Sequence, residues 1–359
     1  MIGRRFGKEY SRDLEKSLMN YLQPREGARL NRGLPVFENY KYIESVDKDV
    51  EGEVQHRVVT GEIDRSDGAF VMETGVVVAS ARSSDGGQES KYDGINYDRA
   101  FALRTMYGNG EVSLFGVLDG VSKGEKTTAG VEQAVELFDS YFKSGLSLLD
   151  AAKKVDAILH EESHFFRSCA GVLMQLGRWD DDEGRIVDPH HATVVYAGDA
   201  KILTIRNEQR LSEGTTKFQS LAQKDIDDKV AEEKDLYTHS QAHVLTNSFG
   251  SGRLDSMNEL SFDTQKGDTM VMASDGFWDV VSEYETIELS KKYAGQALQD
   301  ELFQLAMNRQ GANALINIEH EPGVFVEKNM KRGKGIQGWE YNKMADNITV
   351  MVVAIDPIL

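Results

Sequence analysis

Four short aspartate motifs constrain this chain more than any other feature: Asn96-Tyr97-Asp98, Asp119-Gly120, Asp275-Gly276 and Asp346-Asn347. Three of them adjoin apolar, strand-like runs. Val112-Ser113-Leu114-Phe115-Gly116-Val117-Leu118 leads into Asp119, and Thr269-Met270-Val271-Met272-Ala273-Ser274 leads into Asp275. Ile348-Thr349-Val350-Met351-Val352-Val353 follows Asn347. Short apolar runs bounded by turn residues read as buried strands, so these motifs place carboxylates at strand ends. Two bare charges about 4 Å apart repel by roughly 4 kcal/mol at an effective dielectric near 20. A fold that gathers several such ends is most simply explained by a divalent cation between them. The sequence therefore reads as that of a metal enzyme.

Charge narrows the partners. Net charge is −18 and the pI is near 4.9, which disfavours nucleic-acid binding by a general basic surface. An acidic field draws divalent cations, and it repels a phosphorylated substrate unless metal ions reverse the local sign. The excess as a whole also serves solubility. No apolar run approaches the ~20 residues of a membrane helix, so no transmembrane segment is expected. The start, Met1-Ile2-Gly3-Arg4-Arg5-Phe6-Gly7-Lys8, is basic without an apolar core behind it, and no signal peptide is expected. Cys169 is the one cysteine, so no intrachain disulfide can form and a reducing compartment follows: the cytoplasm, or a host cytosol into which the protein is delivered.

The chain divides near residue 70. Residues 1–69 read as an N-terminal extension, first an amphipathic helix at about 9–23 and then an irregular stretch. Leu14, Leu18, Tyr21 and Leu22 fall at helical spacing and Pro24 stops the pattern. Residues 1–33 carry eight Lys or Arg and four Asp or Glu. Their helix packs on the body of the protein, docks on a partner or lies on a membrane surface. Residues 70–359 read as the main domain. Helices are expected over 127–142 and 147–165, and mainly helical chain over 284–318. Residues 191–196 and 201–205, joined by Gly198-Asp199-Ala200, are predicted to form a hairpin. A mobile loop is predicted at about 319–345, around Pro322, Lys331-Arg332-Gly333-Lys334-Gly335 and Trp339. Strands in antiparallel groups and helices in blocks give an α+β architecture.

Mg²⁺ and Mn²⁺ take oxygen ligands and keep several waters. Two such ions about 3.5–4 Å apart can share one carboxylate and one bridging water, which becomes a hydroxide able to attack phosphorus in line. Few protein ligands are needed, but they must converge from distant parts of the chain, as Asp119, Asp275 and Asp346 could. Gly120 has no Cβ, so its carbonyl can come close to a metal. Asp85-Gly86 and Asp93-Gly94 read as plain turns.

The ordered segments Leu114-Phe115-Gly116-Val117-Leu118-Asp119-Gly120, Val195-Tyr196-Ala197-Gly198-Asp199-Ala200-Lys201, Gly267 to Val280 and Ala345-Asp346-Asn347-Ile348-Thr349-Val350 resemble the motifs of the metal-dependent, type 2C (PPM) serine/threonine protein phosphatases. The most specific piece is Ser274-Asp275-Gly276-Phe277-Trp278-Asp279-Val280 after a strand. The match covers about residues 70–356. The resemblance implies a four-layer αββα sandwich, two antiparallel β-sheets flanked by helices, with a binuclear Mg²⁺ or Mn²⁺ site at one end. It implies that Asp119 bridges both ions, Gly120 lends its carbonyl to one, and Asp275 and Asp346 hold the other. Asp279 would serve a weaker third ion. Asp98 would orient metal-bound water, Asn347 would support the last ligand, and Asp199 would mark a structural turn. The substrate implied is phosphoserine or phosphothreonine in a protein.

The chain also departs from that pattern. Tyr97 stands where an acidic residue often precedes the first Asp. Val121 stands where many members carry a His that protonates the leaving alkoxide. The phosphate-binding Arg has no clear counterpart: Asp93 falls near its position, with Lys91 or Arg82 as loose substitutes. These departures motivate an alternative, a phosphatase-like binding or regulatory protein with weak or no activity. A remote alternative is a zinc hydrolase through His160-Glu161-Glu162-Ser163-His164, a literal H-E-x-x-H on a predicted helix. Against it, both histidines point away from the apolar face of Val155, Ile158, Leu159 and Phe166, and no third ligand is evident. Gly120 to Thr127 imitates a phosphate loop, but Glu125 breaks the Gly-Lys-Thr adjacency that chemistry needs.

Overall fold

The computed structural model describes residues 42–43, 57–60, 67–73, 77–84, 96–107, 110–121, 125–163, 168–180, 185–230, 244–253, 257–309, 314–316, 325–327 and 346–355. The helix predicted at about 9–23 lies outside these residues, as does most of the loop predicted at about 319–345.

Two antiparallel sheets carry the fold. The first has seven strands in the order β1 (Tyr42–Ile43), β2 (Arg57–Thr60), β5 (Arg99–Tyr107), β6 (Gly110–Gly120), β7 (Cys169–Asp180), β8 (Arg185–Ala197) and β11 (Asn258–Asp263). The second has six, in the order β10 (Gln209–Arg210), β9 (Lys201–Arg206), β12 (Thr269–Ala273), β15 (Ile348–Ile355), β4 (Val77–Ser84) and β3 (Asp67–Glu73). The short β13 (Ala314–Ile316) and β14 (Phe325–Glu327) pair separately, where helix end and loop were expected.

Side-chain alternation along the strands builds the layers. On β6, Phe115 and Val117 face the second sheet, while Leu114 and Leu118 face helices α1 (Glu125–Lys143) and α2 (Leu148–Ser163). On β15, Met351, Val353 and Ile355 meet the first sheet, and Ile348, Val350 and Val352 face the other way. That outer face is covered by α4 (Asp275–Trp278), α5 (Glu283–Ser290) and α6 (Gly295–Arg309), with Trp278, Leu298, Leu302 and Phe303 in contact. A short α3 (Leu221–Asp227) lies in the connection after β10. Strands apolar on both faces need cover on both faces, and the result is the four-layer αββα sandwich.

Two expectations need correction. The predicted hairpin of residues 191–196 and 201–205 does not form: β8 pairs with β7 and β11, whereas β9 pairs with β12 and β10. The chain bends at Gly198, φ +89°, and crosses from one sheet to the other. The strands β1, β2 and β3 begin before residue 70 and pair into these sheets. The sheets thus take up residues that the sequence assigns to the extension.

Candidate metal centre

Register explains how the aspartates meet. Arg99 on β5 lies opposite Leu118 on β6, so one step further brings Asp98 beside Asp119. Lys201 on β9 lies opposite Ala273 on β12. Asp199, two residues before Lys201, and Asp275, two after Ala273, therefore leave the same end of that pair. Ala273 also lies opposite Val350 on β15, and Asp346 precedes that strand by two residues. Carboxylates at ladder ends of both sheets thus converge on one end of the sandwich.

One oxygen each of Asp119, Asp199 and Asp275 lies within 4.8 Å of the others. Asp98, Asp275, Asp199 and Asp346 all raise the pKa of Asp119, after burial, the largest cause. Burial also lifts Asp199 well above the usual carboxylate value, with Asp275, Asp279 and Asp346 adding to it. Asp98 is fully buried and its pKa rises to about 7, first through burial and then through Asp275 and Asp346. The Ser274 and Thr349 hydroxyls offset part of this rise. Neither Asp98 oxygen accepts a hydrogen bond of ordinary geometry.

Hydrogen bonds hold the frame. Asn347 Oδ1 accepts from the Tyr97 backbone N–H at 2.8 Å, and Asp346 Oδ1 accepts from Asn347 N–H at 2.9 Å. Asn96 Oδ1 accepts from Asp98 N–H at 2.9 Å, and its Nδ2 donates to Ser83 Oγ at 2.8 Å. Ser83 and Thr349 share a hydroxyl contact of 2.6 Å, and Thr349 N–H donates to Ser274 Oγ at 3.0 Å. Arg99 donates to the carbonyls of Asn96 and Asp98 and pairs with Glu132 on α1.

An all-carboxylate set of this kind suits a hard, oxygen-seeking cation such as Mg²⁺ or Mn²⁺ better than zinc. A buried carboxylate without a well-formed hydrogen bond, beside mutually repelling ones, is also what such ions relieve. A pH dependence follows for the metal-free protein. The folded pKa of Asp98, about 7, lies above the ordinary 3.8. Its contribution to stability is therefore present at low pH and is lost as pH rises through about 7. In chelator, the melting midpoint is expected to fall from about pH 6 to about pH 8, and Mn²⁺ at the higher pH to recover it. A midpoint that is level across this range would contradict the electrostatic picture.

Asp199 was read as a structural turn, yet its carboxylate stands in the cluster. Its available signal was the same as for the others, an aspartate at an apolar strand's end. Arg82 does not serve the centre: its guanidinium lies over the Phe303 ring at 4.4 Å and 3.7 Å from Asp300, on α6. Lys91 and Asp93 lie outside the described residues. Val121 is partly buried against the core between the sheets. Cys169 is buried in the core beneath α1 and α2, its pKa pushed up to about 12 by burial. The H-E-x-x-H segment supplies no metal site among the described residues: His160 packs on Gly252 with Nδ1 3.3 Å from the Gly250 carbonyl, and Glu161 is exposed. His164 lies outside them. In a second group, Asp188, His191 and Asp263, His191 pairs across the strands with Asp263, its Nδ1 3.0 Å from Oδ1, and Asp188 Oδ1 accepts from the His190 backbone N–H at 3.0 Å.

No protein-family model matches the chain, and no curated protein matches it. Solved structures do. The serine/threonine phosphatase Stp1 from Staphylococcus aureus superposes with TM-score 0.55 at 17% identity, over 78% of this chain and 95% of that one. PstP/Ppp from Mycobacterium tuberculosis gives 0.53 at 18%, over 79% and 100%. The PPM Ser-Thr phosphatase MsPP from Mycobacterium smegmatis gives 0.52 at 17%, over 77% and 97%. The fold of this chain is the PPM serine/threonine phosphatase fold.

Proposed function

We propose that this protein is a Mg²⁺- or Mn²⁺-dependent phosphatase of phosphoserine and phosphothreonine in proteins. The observation that carries the reading is the meeting of Asp119, Asp199 and Asp275, from three distant segments, within 4.8 Å. In this reading Asp119, Asp275, Asp346 and the Gly120 carbonyl hold two ions, and Asp199 with Asp279 offers a third, weaker position. When bound, such ions make a nucleophile from water at neutral pH and cancel phosphoryl charge. The chain's own part is positioning. In this reading Asp98 orients a water beside Asp119, and the Asn347 side chain, which accepts from the Tyr97 N–H, supports the neighbouring Asp346. No covalent phosphoenzyme is required, in keeping with the buried Cys169.

Val121 and the placement of Arg82 favour a second reading, a binding protein of this fold with little turnover. An absent general acid alone costs about 10²-fold or more. Hydrolysis of para-nitrophenyl phosphate and of phosphoserine peptides in about 1–5 mM Mn²⁺ separates the two. Turnover that chelator abolishes is expected. Mn²⁺ bound in calorimetry with no hydrolysis above buffer would assign the binding role instead.

A further inference from the structure

We propose that Lys201 is a positioning residue: it holds the Asp199 turn at a fixed distance from Asp275 and Asp279, and so sets the affinity of these carboxylates for a divalent cation. The inference rests on the metal-dependent reading above.

Lys201 opens β9 opposite Ala273. It thus stands two residues after Asp199, across from a point two residues before Asp275. Its side chain is only 7% exposed. The ammonium pairs with Glu283, the first residue of α5, and lies 5.0 Å from the Phe218 ring centre and 5.3 Å from that of Trp278. Trp278 Nε1 in turn donates to the Lys201 carbonyl at 3.2 Å. Trp278 ends the helical turn that Asp275 begins, and Asp279 N–H donates to the Asp275 carbonyl at 2.7 Å. Glu283 is itself fixed. It follows Ser282, which forms a capping box with Glu285, and it receives Arg210 Nε at 3.0 Å. Lys201 therefore ties β9, just after Asp199, to Trp278 in the turn that Asp275 begins and to Glu283 beyond it.

Packing alone does not ask for a lysine here. The surrounding core is apolar, with Leu203, Val271, Ala273, Phe277 and Trp278, and an unbranched apolar side chain would fill the same space. A buried ion pair is often no more stabilising than such a replacement. What the pair adds is direction, because a charge-assisted hydrogen bond and two ring faces admit one arrangement where an apolar chain admits several. The charges acting most on Asp199 are those of Asp275, Asp279 and Asp346. Lys201 thus acts on the carboxylates through the backbone it anchors.

The test is calorimetric titration of Mn²⁺ into the full chain, alongside melting curves, for wild type, Lys201→Met, Glu283→Gln and Leu203→Ala. Leu203→Ala opens a cavity in the same core without removing the Lys201–Glu283 pair. Lys201→Met is expected to weaken Mn²⁺ binding about 10-fold, and Glu283→Gln by a smaller factor in the same direction. Leu203→Ala is expected to melt earlier and bind Mn²⁺ as wild type does. Wild-type Mn²⁺ affinity in both Lys201→Met and Glu283→Gln overturns the proposal. Should Lys201→Met fail to fold, Glu283→Gln, at a half-exposed helix start, decides alone. A wild-type protein that binds no Mn²⁺ overturns the metal-dependent reading itself, an outcome distinct from a wild type that binds and variants that bind equally.

Discussion

Asp275→Asn is expected to remove Mn²⁺-dependent turnover by about 10³-fold or more while making the metal-free protein harder to melt. The two effects have one cause. Asp275 and Asp346 both raise the pKa of Asp98, Asp119 and Asp199, and Asp275 has the larger effect on each, so it carries much of the mutual repulsion. Asn keeps the shape and the start of the α4 turn but removes the charge. Without metal, that relieves buried like charges, and a gain of about 1 kcal/mol would lift the midpoint by roughly 2 °C in a chain this large. With metal, one of the proposed charged ligands is missing. Groups that only support a ligand already cost 10–100-fold when lost, so a ligand costs more. Melting in chelator at about pH 8 and turnover in Mn²⁺ are the two measurements. Lost activity with an unchanged or lower metal-free midpoint would mean that Asp275 does its work without the repulsion described. Retained activity would remove it from the centre.

Much of this centre was legible because its signals are local. An apolar run that stops at an aspartate is visible in the chain itself, and Asp119 and Asp275, which meet Asp199 in the cluster, carry that signal. What the runs do not reveal is which strand pairs with which. Residues 191–196 and 201–205 look like hairpin arms, because a short Gly-Asp-Ala link between apolar segments usually makes one. The structure spends that link on crossing between sheets, and the crossing is what lifts the Asp199 carboxylate to the cluster. Its place in the cluster is illegible in the sequence for the same reason: strand pairing decides it. Arg82 shows the other limit. Alternation puts Ser83 toward the centre and Arg82 toward α6, but only the placement of β4 between β15 and β3 tells which face is which. The strands before residue 70 lack a clear period and owe their conformation to partners such as β5 and β4.

Gly276→Ala is expected to damage the centre as severely as the loss of a ligand's support, although Gly276 ligates nothing in the proposed scheme. A Cβ built on Gly276 would lie 2.0 Å from the Asn347 carbonyl oxygen, 3.1 Å from its carbon and 3.2 Å from Asp346 Cβ. The first two are backbone atoms and cannot swing aside as a flexible side chain would. Nor can the two segments easily part. Ser274 N–H donates to the Thr349 carbonyl at 3.1 Å, and Thr349 N–H donates back to Ser274 Oγ at 3.0 Å. The added methyl must therefore push Asp346 and Asn347 away from Asp275, by more than 1 Å if the contact is to reach about 3.4 Å. Displacements of that size cost about 10²-fold in rate, and overpacking costs about 1–3 kcal/mol of stability. Gly267→Ala supplies the control. Gly267 has φ +88° and open space around its Cβ position, and it lies at the opposite end of β12 from Asp275. That change carries backbone strain of about 1 kcal/mol or more without reaching the carboxylates. Gly276→Ala is expected to lose turnover and Mn²⁺ affinity together, and Gly267→Ala only melting temperature. Equal turnover and equal Mn²⁺ dependence in Gly276→Ala and wild type would show that the distance from Asp275 to Asp346 does not matter to the chemistry, which the proposed two-ion arrangement does not allow.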